Sequence, residues 1–138
     1  MTVLRKVAMG EIAPSRRLGA EIRFLLTAGT VGARSGFLGT MSIRDGEFVA
    51  AHLHPYSDEF VFLADGSLRL TLDGEEYTLE RHEAILIPKG TAHRMHNVSG
   101  GPALVVFGVT PLAPSPEQGH VELEALPDPD AAPPRVGA

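Results

Sequence analysis

Turns built on glycine divide this chain into short segments, and none of those segments shows helical periodicity. Arg44-Asp45-Gly46, Ala64-Asp65-Gly66, Leu72-Asp73-Gly74, Pro88-Lys89-Gly90 and Ser99-Gly100-Gly101 all carry turn chemistry. The stretches they bound, Gly36–Ile43, Glu47–His54, Glu59–Ala64, Ser67–Leu72, Glu75–Leu79, Ala84–Pro88, Thr91–Val98 and Ala103–Thr110, are rich in β-branched, aromatic and aliphatic residues. Asp73-Gly74 between two such stretches reads as a hairpin. Further strands are expected near Thr2–Met9 and Glu21–Ala28, and an edge strand within Gly119–Leu126. The expected fold is all-β, a sandwich or small barrel.

At 138 residues the chain suits one domain, with 43% apolar and 21% charged residues supplying an ordinary core and surface. Twelve Lys and Arg against 17 Asp and Glu give a net charge of −5. That balance argues against a sequence-independent nucleic-acid binder and against an anionic-membrane binder. The absence of cysteine removes disulfides, thiolate nucleophiles and cysteine-ligated metals. The first ten residues lack the apolar core of a signal peptide, and the longest apolar run, Ala103–Val109, is too short to span a bilayer. A cytoplasmic protein is expected. Seven of the eleven prolines lie between Pro111 and Pro134, so residues 113–138 are read as an extended arm with a disordered, solvated end.

The chemistry is concentrated in two segments. His52 and His54, two apart in a strand, project to the same face about 7 Å apart along the chain. The turn Pro55–Asp58 brings Glu59 back beside them at the start of the next strand. Two neutral imidazoles and a carboxylate form a site for a divalent ion, and His93, after the Pro88-Lys89-Gly90 turn, offers a further ligand. His96 has the opposite strand parity to His93 and is expected to face away, while His82 and His120 are expected to be solvated. His82-Glu83 fails as a metalloprotease motif, because residue 86 is Leu and the context is not helical.

Gly46, His52, His54, Glu59 and Gly66 match the spacing of the first motif of the cupin superfamily, and Pro88, Gly90, His93 and Asn97 match the second. The chain therefore resembles a cupin. One position departs: the glycine that opens the second motif is His82, at a turn. The resemblance implies a double-stranded β-helix (a jelly-roll barrel) over residues 1–112, with His52, His54, Glu59 and His93 around one divalent ion. Zinc is the first expectation, with manganese, iron and nickel as alternatives.

Within the superfamily, His54–Glu59, Val31–Phe37 and Thr110–His120 are similar to the small single-domain aromatic polyketide cyclases of the tetracenomycin and resistomycin type. That resemblance implies regiospecific cyclisation of a poly-β-ketone in antibiotic biosynthesis, with synthase components as possible partners. Water on the ion, and no side chain, is implied as the base. A metal-dependent dioxygenase acting on a phenolic or diketone substrate and a non-catalytic small-molecule-binding cupin are the rival readings.

Strand parity from the ligands places Phe48, Ala50, Val61, Leu63, Met95 and Asn97 on the inner face, as an apolar pocket suited to a hydrophobic or aromatic substrate. Val49, Ala51, Leu53, Phe60 and Phe62 fall on the opposite face. A sheet apolar on both faces needs a second cover, and a homodimer is expected to supply it, with terminal strands packing across the partner.

Overall fold

The computed structural model describes residues 1–133, so residues 134–138 of the expected disordered end lie outside the described residues. Among the described residues, ten strands form two antiparallel five-stranded sheets. Sheet one holds β1 (Glu21–Leu26), β2 (Phe37–Ile43), β9 (Ala103–Thr110), β4 (Asp58–Asp65) and β7 (Ala84–Ile87), in that spatial order. Sheet two runs β10 (Val121–Glu122), β3 (Phe48–Leu53), β8 (His93–His96), β5 (Ser67–Leu72) and β6 (Glu75–Glu80). The chain crosses repeatedly between the sheets, which is the expected all-β double-stranded arrangement.

Alternation drives the packing. In β4, Glu59, Val61 and Leu63 are buried while Phe60 and Phe62 are exposed. Their inward partners Met41, Ile43, Val105 and Phe107 from sheet one meet Val49, Leu68, Leu70 and Met95 from sheet two in one core. Phe24, Phe37 and Phe107 close one end with edge-to-face contacts, their ring centroids 5.6–6.2 Å apart.

Three local readings need correction. Residues of the expected Thr2–Met9 strand stay irregular and end in a 3-10 turn at Met9–Glu11. The Glu11 carboxylate there accepts from the Ala8 N–H, and the Arg5 guanidinium donates to it. Of the residues before this turn, Val3 makes a single backbone hydrogen bond, to Val31, so no ladder holds them in a strand. The Glu21–Ala28 strand stops at Leu26 because Thr27 caps a helical turn, α1 (Ala28–Val31): Thr27 and Thr30 exchange side-chain bonds with each other's N–H, and Gly32 ends it at φ 69°.

The third correction matters most for the site. Phe48 pairs with His96 and Val49 with Met95, but His52 pairs with His93, so β3 carries one extra residue at Ala50–Ala51. This bulge reverses parity upstream of the ligands. Val49 therefore points into the core, and Phe48, expected inside, sits half-buried on the outer face beside His96 with the Arg94 guanidinium 4.2 Å from its ring centroid.

A candidate metal centre between the sheets

β3 and β8 of sheet two and β4 of sheet one converge at the centre. His52 ends the bulge, His54 follows β3, Glu59 is the second residue of β4 and His93 opens β8. One ligand atom from each of the four residues lies within 4.8 Å of the other three. His52, Glu59 and His93 are almost fully buried, at 3, 1 and 2% exposure. Gly90, in the left-handed region at φ 80°, lets the turn before β8 donate its N–H to the His54 carbonyl, joining the two ligand segments.

Each imidazole is oriented through Nδ1. His52 Nδ1 lies 2.7 Å from the Ala50 carbonyl, His93 Nδ1 2.9 Å from the Thr91 carbonyl, and His54 Nδ1 2.9 Å from the Gly119 carbonyl. A carbonyl only accepts, so each Nδ1 carries a hydrogen and Nε2 is left as the atom that would meet an ion, the arrangement of metal-binding histidines. His54 Nε2 is 3.0 Å and His93 Nε2 3.6 Å from the same Glu59 oxygen. Glu59 Oε2 and His93 Nε2 are buried with no hydrogen-bond partner. An orphaned buried polar atom costs about 1–3 kcal/mol. A cation held by all four side chains would satisfy both orphans, so the residues fit the divalent ion that their spacing implies.

The electrostatics agree. Burial, then the neighbouring His93 ring, hold His52 well below the ordinary imidazole value, so it is neutral. Burial pulls His54 down as well, but the hydrogen bond and charge of Glu59 outweigh it and the net is upward. For Glu59 burial favours the protonated form, yet the His54 hydrogen bond and the His93 ring overcome it and hold the carboxylate well below its usual range.

The remaining predicted residues fall as follows. Ala50 is buried in the bulge, and Val61, Leu63 and Met95 are buried core members. Asn97 lies just past β8 and is no pocket wall. Its amide donates to the Ile43 and Gly101 carbonyls at 2.8 Å, and its oxygen accepts from the Ser99 N–H and hydroxyl, which exhausts its capacity. His96 is half-buried against Phe48, and His82 is exposed with φ 70°. His120, expected in solvent, instead stacks on His52 with centroids 4.6 Å apart and interplanar angle 22°. Burial and the nearby His54 pull its pKa down to about 4. No local pattern marks it, because its neighbour is 68 residues away in sequence.

A family profile described as the cupin domain matches residues 39–109. The chain belongs to the cupin family. This cupin is 51% identical over 132 residues to the tetracenomycin polyketide synthase protein TcmJ of Streptomyces glaucescens, covering 96% of this chain and 89% of that protein. It is 46% identical over 121 residues to the polyketide synthase CurC of Streptomyces cyaneus, covering 88% of this chain and 79% of the other. Among solved structures, the polyketide cyclase RemF from Streptomyces resistomycificus superimposes with a TM-score of 0.72 at 21% identity, over 92% of this chain and 90% of that one. The cupin match includes all four candidate ligands but ends before Gly119, His120 and Glu124.

Proposed function

We propose that this cupin is a metal-dependent cyclase that guides regiospecific aldol-type cyclisation and aromatisation of a poly-β-ketone in aromatic polyketide biosynthesis. The observation that carries the reading is the His52–His54–Glu59–His93 cluster, with every imidazole Nδ1 engaged by a backbone carbonyl, in a chain half identical to TcmJ across nearly its whole length. His52, His54 and His93 would hold the ion through Nε2, and Glu59 would offset part of its charge. Zinc is the ion proposed. When bound, a divalent ion supplies Lewis acidity that polarises a ketone and favours the enolate beside it.

The protein's own contribution is placement. In this reading the inner face contributes the buried apolar side chains of Ala50, Val61, Leu63 and Met95, which would offer an extended polyketide no competing polar partner. Held there, one activated methylene meets one ketone carbon, the proximity term of the reaction. A carbon–carbon bond forms between them, the methylene proton passes to the ketone oxygen by way of a base, and loss of water aromatises the ring. The chain consumes no oxidant in this scheme.

A second copy of the chain is the proposed cover for the outer face of sheet one, where Leu38, Phe60, Phe62 and Leu86 are all exposed. The N-terminal segment offers Met1, Val3 and Leu4 as a matching apolar strip, all three of them exposed. The molar mass in solution should be that of a dimer, and Phe60→Asp should return it to a monomer. A monomeric parent protein removes this part of the reading.

The decisive experiment pairs metal analysis of the purified protein with product profiles from His52→Ala and His93→Ala. Both variants should lose bound metal and correct ring pattern while unguided cyclisation continues. Unchanged product distribution without metal refutes the cyclase reading. Iron in the protein with oxygen uptake on a phenolic or diketone substrate replaces it by the dioxygenase.

A further inference from the structure

Beyond the last barrel strand, residues 111–124 return across the metal centre. Ser57 donates to the Pro111 carbonyl at the start of this strap, and Gly119 N–H closes a turn on the Ser115 carbonyl at 3.1 Å. The strap then delivers the Gly119 carbonyl to His54 Nδ1 and lays His120 flat on His52. Of the three ligating imidazoles, His52 and His93 are oriented by carbonyls two residues away in their own segments, whereas His54 depends on a carbonyl 65 positions downstream.

The strap also fastens the bulge that aims His52. Val121 and Glu122 pair with Leu53 and His52, and the Leu123 N–H donates to the Ala51 carbonyl at 2.9 Å. The Glu124 carboxylate accepts the Ala51 N–H at 2.7 Å and Arg94 Nε at 3.0 Å. A bulge leaves its extra residue outside the ladder, so Ala51 needs partners from elsewhere. These polar contacts do most of the fastening, because Val121 and Leu123 are both more than 40% exposed. A segment with so little apolar burial belongs to the low-stability end of a structure and opens locally.

We propose that the C-terminal strap is a working part of the metal centre: Gly119 and Glu124 are positioning residues that hold His54 and His52 in ligating orientation, so that strap closure and ion binding reinforce each other. The proposal rests on the metal-binding half of the reading above. Linkage makes it reciprocal: if a closed strap tightens the ion, the ion must close the strap by the same factor.

The test uses the full chain, with Zn²⁺ alone as the probe. Glu124→Ala removes the acceptor for Ala51 and Arg94 while leaving all four ligands, and Glu124→Gln retains an acceptor oxygen. In competition with a chromophoric chelator, the alanine variant should bind zinc roughly tenfold or more weakly, the loss typical of groups that orient metal ligands. The glutamine variant should recover most of that affinity. In the parent protein, zinc should also slow hydrogen exchange at the Leu123 amide. A folded Glu124→Ala protein with parental affinity overturns the proposal, and so does Leu123 exchange that zinc leaves unchanged. Should the alanine variant not fold, the exchange measurement on the parent protein decides alone. A parent protein that does not bind zinc at all fails the metal reading itself and takes the strap proposal with it, an outcome visible before any variant is made.

Discussion

At the scale of single residues, the centre depends on which nitrogen of each imidazole is free and on when each takes up a proton. His52 is kept neutral by burial, and Glu59 is kept ionised by its imidazole neighbours, so at neutral pH both are in their ligating forms. The pKa of His54 is shifted upward, so in the metal-free protein it is the first of these to protonate as the pH falls. Protons compete with the ion for the same lone pairs, so the sign is fixed: zinc affinity decreases as pH decreases, by about tenfold per pH unit for each imidazole that takes up a proton. Chelator competition from pH 7.5 down to 5 measures this, and a flat affinity across that range contradicts the ligand set. These four residues were legible because two short spacing patterns carry them, and strand periodicity alone places His52 and His54 on one face. His120 and Gly119 were not. A carbonyl has no sequence signature, and a ring that reaches the site from the far end of the chain lies outside any local pattern.

At the scale of elements, the glycine-bearing turns located eight of the strands to within a residue or two at most ends, since turn chemistry acts locally. Parity in β3 could not be read. Ala50 and Ala51 look like ordinary strand residues, and only the pairing with β8 shows that one of them is extra. Phe48 and Val49 exchanged places as a result. The departure at His82 has a backbone account: the turn needs a positive φ, His82 adopts 70°, and its N–H donates to the Leu63 carbonyl at 2.7 Å while its ring stacks on Phe62. A histidine in that region is uncommon and tolerable, which is why the motif survives without its glycine. The arm beyond Pro127, read as solvated, is partly tied down: the Arg17 guanidinium donates to the Pro129 and Ala131 carbonyls at 2.9 and 2.8 Å. That tie is long-range, and nothing in a proline-rich composition announces it.

At the scale of the whole molecule, the candidate ligands do not come from one layer. His52 and His93 belong to sheet two and Glu59 to sheet one, so an ion held at the centre would join the two halves of the sandwich. Binding to the folded state alone adds about 4 kcal/mol when free ion stands at a thousand times its dissociation constant. For a domain of this size that corresponds to roughly 10 °C or more in Tm. Thermal unfolding of the protein before and after chelation should show a drop of that order, restored by Zn²⁺. An unchanged Tm means that no ion bridges the layers. If an exchangeable atom rivets the molecule, its lifespan follows its surroundings. In cells short of that ion, the chain's abundance should decline through proteolytic clearance, so metal supply would set how much of the protein exists as well as how fast it works.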